Sequence, residues 1–295
     1  MRPEVVCTHI CELGEGPIWD LSNQLICWLD IINGEIHEWS PNDRSLNTIS
    51  VGQMIGSMAI STDGNFVAAL ENGFGIVNRH TDEIKSVANP EEHKSKNRFN
   101  DGKCDPAGRF WAGTMSLSEE SEKGSLYMLN ANGEVSKKIE KTTISNGLAW
   151  SLDHKAFYFI DTSTFKVSAY DYDKSTGALS NKRTIINISK GDGYPDGMTI
   201  DNEGMLWIAH WDGWQVTRWD PATGKKLAAI ALPVSRITSC TFGGKSFEDL
   251  YITSAKVGLS KEELEEQPLA GSLFVIRNCG YKGLPAFQFN SNIHK

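Results

Sequence analysis

Apolar residues recur along this chain in short runs, and each run ends at a polar or small-residue turn. The last apolar residue before each turn is Trp19, Ile60, Cys104, Trp150, Ile200 or Phe242. The turns read DLSN, STDGN, DPAGR, SLDHK, DNEGM and GGKSF. After each turn comes an apolar run: LICWLDI, FVAAL, FWAGTM, AFYFID, LWIAHW and LYITSA. A second run with alternating character follows, as in GEIHEWS, GSLYMLN and WQVTRWD. Alternation over four to eight residues, bounded by turn residues, predicts strands. In five of the six units further turn residues and a more polar strand close the repeat, as in DPATGKKLAAIALP.

Four residues before each anchor stand Glu15, Gly56, Asn100, Asn146, Asp196 and Thr238, at spacings of 41, 44, 46, 50 and 42. A period in the forties with about four short strands per unit predicts β-propeller blades. Six units fill the chain. The expected fold is therefore all-β, a six-bladed β-propeller forming a single domain over residues 1–295. The last unit has no obvious fourth strand of its own. Glu4 to Ile10 alternates and precedes the first unit, so it is expected to supply the outer strand of the last blade and close the ring, removing an exposed edge. In GLSKEELEEQP, Ser260 and Glu263 have the spacing of a capping box, which predicts a short surface helix.

Composition narrows the function. Lysine plus arginine is 29 and aspartate plus glutamate is 37, a net charge of −8 with no basic run, which argues against nucleic acid as a partner. No stretch of about 18 apolar residues occurs, so no membrane-spanning helix is expected. The first residues, MRPEVVCTHICELGEG, lack the apolar core of a signal peptide. Six cysteines form no CxxC pair. Cys27 and Cys104 fall in or beside apolar strands and read as buried, reduced thiols, while Cys7 and Cys11 could pair only awkwardly within one strand. A cytoplasmic monomer is the expectation, since a chain of this size needs no disulfide staples.

Equivalent positions in a propeller lie on a ring around one axis. Glu15, Asn100, Asn146 and Asp196 should therefore converge, although up to 181 residues separate them. Asn146-Gly147 and Asp196-Gly197 are turn dipeptides when taken singly. Here they open a strand instead of occupying the repeat's own turn, and Glu15-Gly16 shares the slot although glutamate is a poor turn residue. The glycine lets the backbone approach the axis, and the side chain before it can face the channel. Two carboxylates and an amide carry a formal charge of −2, which suits a divalent cation with positions left for water and substrate. No thiolate or histidine occupies the slot, so structural zinc is disfavoured. Calcium, magnesium, manganese, catalytic zinc and ferrous iron stay open. Beside Asn100 and Asp101, Arg98 reads as an oxygen-binding fork. Glu119 and Glu120, in the polar loop after Met115, are candidates for substrate contact. Trp207 and Trp211 read as core and His210 as structural. No G-x-S-x-G elbow, Walker loop or dinucleotide fingerprint is present.

LGEGPIWD, NRFNDGKCDPAGRFWAGTM, ISNGLAWSLD, YPDGMTID and TSCTFGGK, five motifs in order over nearly the whole chain, together resemble the SMP-30/gluconolactonase/luciferin-regenerating family. The resemblance implies one divalent metal in the channel, with Glu15, Asn146 and Asp196 as ligands. It implies substrate contacts at Arg98 and Asn100 and at a loop glutamate that maps to Glu119 or Glu120. The expected reaction is metal-dependent hydrolysis of a neutral sugar lactone to the aldonic acid. Asp196 beside the metal would be the base, with Asp101 the next candidate. A non-enzymatic calcium-binding or scaffold propeller, and a hydrolase of another ester, are the alternatives.

Overall fold

The alternating runs fold as six four-stranded antiparallel sheets among residues 2–292, the residues that the computed structural model describes. Within each sheet the strands succeed one another from the axis outward. The innermost strands are Gly14–Asp20, Ile55–Ile60, Asn97–Cys104, Ser145–Trp150, Tyr194–Ile200 and Ile237–Gly243. Each lies against the innermost strand of the next blade, and the last lies against the first, so the sheets form a closed ring. The chain is a six-bladed β-propeller. In the sixth sheet the outer strand is Glu4–Ile10, paired with Ser272–Ile276.

Apolar layers between neighbouring blades hold the ring together. Ile18 and Leu29 of the first blade meet Ile55 and Phe66 of the second. Trp111 and Leu126 of the third meet Trp150 and Phe157 of the fourth. Trp19 and Trp28 of the first blade join Phe242, Tyr251 and Phe274 of the sixth and Trp207 of the fifth in the layer that closes the ring. Strands buried on both faces explain why the inner runs read as continuous apolar stretches, not as clean alternation.

The polar turns of the repeat are structural pins. Asp105 accepts hydrogen bonds from Trp111 Nε1 at 2.8 Å and Arg109 Nε at 2.6 Å. Asp201 does the same for Trp207 Nε1 at 2.9 Å and Arg218 Nε at 2.7 Å. Each buried carboxylate is thus paired and fully hydrogen-bonded, the condition under which burial of a charge is tolerated. The helix Lys261–Glu266 begins at Ser260 with both bonds of the expected capping box. All six cysteines are free thiols, and all but Cys7 are buried. Among the described residues no helix is long and apolar enough to cross a membrane.

Every innermost strand shifts register against its neighbour at the same place. The shifts fall between Glu15 and Ile18, Ile55 and Ser57, Phe99 and Gly102, Asn146 and Leu148, Pro195 and Met198, and Ile237 and Ser239. A β-bulge inserts an unpaired residue and re-aims its side chain. The bulges coincide with the slot of Glu15, Gly56, Asn100, Asn146, Asp196 and Thr238. Two of the glycines that follow are required by close approach. A Cβ on Gly147 would lie 2.8 Å from the Asp196 carbonyl oxygen, and one on Gly197 would lie 2.8 Å from that of Thr238. These strands pack backbone to backbone around the axis, which only glycine permits.

Candidate active site

At the end of the channel where the inner strands begin, the bulges open a cavity of about 450 Å³. Glu15, Arg98, Asn100, Glu119, Asn146 and Asp196 all line it. Residues from four blades are brought together, and Glu15, Asn100, Asn146 and Asp196 are each at most 6 % exposed.

The polar groups interlock. Arg98 Nη1 donates to Asn100 Oδ1 at 2.7 Å and to the Phe99 carbonyl at 2.9 Å. Asn100 Nδ2 donates to the Ser145 carbonyl at 2.9 Å, tying blade three to blade four. Asn146 Nδ2 donates to Thr162 Oγ1 at 2.9 Å, and that hydroxyl donates to the Pro195 carbonyl at 2.8 Å. The amide is thereby oriented with its nitrogen outward, which leaves Asn146 Oδ1 buried without a partner. A buried oxygen of this kind is costly unless something fills its lone pairs.

The carboxylates are crowded. Burial, and next the charge of Asp101, push the Glu15 carboxyl up from 4.5 to about 8, against the pull of the Gly16 N–H and Arg98. Burial pushes Asp196 well above the ordinary carboxylate range, and Glu15 and Asp101 add to it. Burial lowers the Arg98 guanidinium while Glu15, Asp196 and Glu119 hold it up. One buried guanidinium therefore faces several acids that repel one another. A divalent cation would relieve that repulsion and accept the free lone pairs of Asn146 Oδ1, so the donor set of Glu15, Asn146 and Asp196 fits such an ion. All three offer oxygen, which suits a hard or borderline metal.

Other expected residues fall elsewhere. Asp101 lines a second cavity at the opposite end of the channel, with Gly102 and Lys103. Its Oδ1 accepts from the Gly102 N–H at 2.7 Å, and its Oδ2 is buried and unpartnered. Only its field reaches Glu15 and Asp196. In the polar loop, Glu119 lies in the left-handed region at φ 55° and lines the cavity. Glu120 lies outside the lining and accepts from Ser118 Oγ at 3.0 Å. His210 is fully buried and bonded to Thr217 Oγ1 at 2.6 Å, a structural histidine. Trp207 is core, whereas Trp211 is partly exposed and lines the cavity beneath the Arg236 guanidinium, 4.8 Å from its ring centre. Trp211 ends its strand, where the blade layer stops and the mouth opens, so it is not wholly core. Thr162, Tyr194 and Asp212 also line the mouth and were not singled out from the sequence. They sit in loops and at strand ends, where the repeat pattern carries no register.

Comparison with known proteins bears on the fold and the family. Residues 13–256 match the model of the SMP-30/Gluconolactonase/LRE-like region. Regucalcin of Oryctolagus cuniculus is 40% identical over 294 residues, covering 98% of both chains. A solved luciferin-regenerating enzyme superposes with a TM-score of 0.92 at 31% identity, over 98% of this chain and 99% of that one. A solved calcium-binding protein, regucalcin, from Agrobacterium tumefaciens superposes with a TM-score of 0.91 at 28% identity, over 97% and 96% of the chains.

Proposed function

Because this chain belongs to the SMP-30/gluconolactonase/LRE-like family, we propose that it is a metal-dependent lactonase. It hydrolyses a neutral sugar lactone to the aldonic acid. The observation that carries this reading is the convergence of Glu15, Asn146 and Asp196 on one cavity, with Asn146 Oδ1 buried and unpartnered. In this reading Glu15, Asn146 and Asp196 hold the cation. When bound, a divalent cation supplies Lewis acidity for the charge that develops on the lactone carbonyl oxygen.

The chain's own residues do the rest. Asp196 takes the proton from the attacking water at Oδ and delivers it to the ring oxygen as the acyl C–O bond breaks, which releases the open hydroxy acid. Arg98 and Asn100, locked to each other at 2.7 Å, present donors to the sugar hydroxyls. Glu119 accepts from a hydroxyl at the rim. Thr162 fixes the Asn146 amide so that its oxygen points inward. A lactone is uncharged, so the net charge of −8 does not oppose its entry. Six free thiols support a reducing, cytoplasmic setting.

A panel of five- and six-carbon aldonolactones, assayed by acid release with metal content measured on the same samples, tests the reading. Hydrolysis that rises and falls with bound metal is the expected result. The relative described as a calcium-binding protein favours a second reading, cation binding without turnover. Stoichiometric metal with no hydrolysis of any lactone in the panel would select it.

A further inference from the structure

Away from the channel, the closing strand Glu4–Ile10 meets the first blade through three residues of another chemistry. His9, Cys11 and His37 each place one ligand atom within 4.8 Å of the others. His37 lies on Glu35–Ser40, the third strand of its blade counted from the axis, so the cluster is remote from the inner ring. The two imidazoles stand 4.1 Å apart, centre to centre. The register of the closing strand shifts between Val5 and Ile10, and the bulge lets His9 reach across to blade one.

Two observations show a site prepared for a ligand. The Nε2 atoms of His9 and His37 are both buried and have no hydrogen-bond partner. His37 is completely buried, and its other nitrogen is engaged with Thr48 Oγ1 at 2.9 Å, which fixes the ring and presents Nε2. Second, Trp28 Nε1 donates to Cys11 Sγ at 3.3 Å, an N–H aimed at a sulfur lone pair. Metal-ligating side chains are held by such outer partners. Glu35 Oε2 stands 3.6 Å from His37 Nε2, too far for a hydrogen bond and near enough to reach a shared ion by side-chain rotation.

We propose that His9, Cys11 and His37, with Glu35 as the outer ligand, form a second metal site that takes a zinc-class cation and clips the closing strand to the first blade. Two imidazole nitrogens, one sulfur and one carboxylate are a donor set for zinc. Calcium and magnesium require oxygen and would leave it vacant. The protein would thus sort cations by donor type, with oxygen ligands at the axis and nitrogen and sulfur ligands at the seam. The closing strand pairs with one neighbour and packs Val6 and Cys7 on the closing apolar layer, and a cross-blade tie would add to these where the ring is joined.

Cobalt(II) is the probe, because sulfur-to-cobalt charge transfer gives a near-ultraviolet band that oxygen ligands do not. The full-length protein, stripped of metal and reduced, should develop this band on adding one equivalent. Asp196→Asn and Cys7→Ser should keep the band, and Cys11→Ser should lose it. His9→Gln and His37→Gln should bind about tenfold more weakly or worse, at least the loss seen when supporting groups are removed. His9 is only partly buried, so its variant keeps the test decisive if Cys11→Ser does not fold. Zinc should raise the melting temperature of Asp196→Asn and leave that of the double variant His9→Gln/Asp196→Asn unchanged at the same concentration. Absence of the band in the wild-type protein, its survival in folded Cys11→Ser, or wild-type cobalt affinity in both histidine variants would overturn the proposal.

Discussion

Where the six inner strands begin, the channel presents Glu15, Arg98, Asn100, Asn146 and Asp196. Where the same strands end, it presents Ile18, Met58, Ala59, Ala149, Ile200 and Cys240, partly covered by Leu284 and Phe287 of the C-terminal segment. The apolar cavity is the larger, about 600 Å³ against about 450 Å³. Its one cation, Lys103, is already spent on the Met198 carbonyl at 2.7 Å. The difference arises at the bulges. At or just before the bulge each strand turns its slot residue toward the axis: Glu15 and Asn146 are the last paired residues before the shift, and Asn100 and Asp196 fall within it. After it, regular pairing resumes and the apolar pattern of the blade returns. Volume therefore does not mark the candidate site, and neither does a lone unpartnered atom, since Asp101 Oδ2 is one at the apolar mouth; the polar mouth differs in that polar side chains of four blades converge on it.

That contrast can be broken at either mouth. The largest effect is expected for Asp196→Asn, which keeps an oxygen donor but removes the charge and the base. Lactone hydrolysis by the metal-saturated variant should fall in kcat by about 10² or more. An unchanged kcat would make Asp196 a ligand only. Arg98→Ala comes next. Loss of charge-assisted hydrogen bonds to substrate should raise KM about tenfold and leave metal content intact. A fall in kcat with KM unchanged would instead place Arg98 in the transition state.

A third effect concerns pH in the metal-free protein. Glu15 holds its proton in the fold up to about 8, whereas the unfolded chain releases it near 4.5. Between those values the unfolded state binds fewer protons, so stability falls as pH rises. Denaturant titrations at pH 5 and pH 8 should show the metal-free protein weaker at pH 8, and Glu15→Gln should reduce the difference. Equal slopes with pH in both would show that Glu15 is not held protonated. The smallest effect is expected at the other mouth. Leu284→Ala, on a residue 42% exposed, should leave kcat/KM within about twofold, and a tenfold loss would join the two cavities functionally.

Much of this was legible in the chain because the repeat fixes register. The slot residues could be aligned by counting back from Trp19, Cys104, Trp150 and Ile200, and a glycine after three of them signals the tight packing seen at Gly147 and Gly197. The sequence reading grouped Asp101 with Arg98 and Asn100 by adjacency. In a strand, neighbours face opposite ways, and Asp101, inside the bulge beside Asn100, lines the other cavity. Glu119 and Glu120 lie in a loop without periodicity, where the left-handed turn at Glu119 decides which one reaches the mouth. His9, Cys11 and His37 were not legible as a group. Their meeting depends on the seam between the last blade and the first, a contact that no local pattern encodes.

The central claim is that Glu15, Asn146 and Asp196 together hold a divalent cation at the polar mouth. The direct measurement is an equilibrium titration of metal-free protein with Ca²⁺ and with Mn²⁺, ions of oxygen preference, for wild type and for Glu15→Gln, Asn146→Ala and Asp196→Asn. One site is predicted in the wild type, weakened about tenfold or more by each substitution, as removal of a metal-supporting group entails. Undiminished affinity in all three variants would contradict the account.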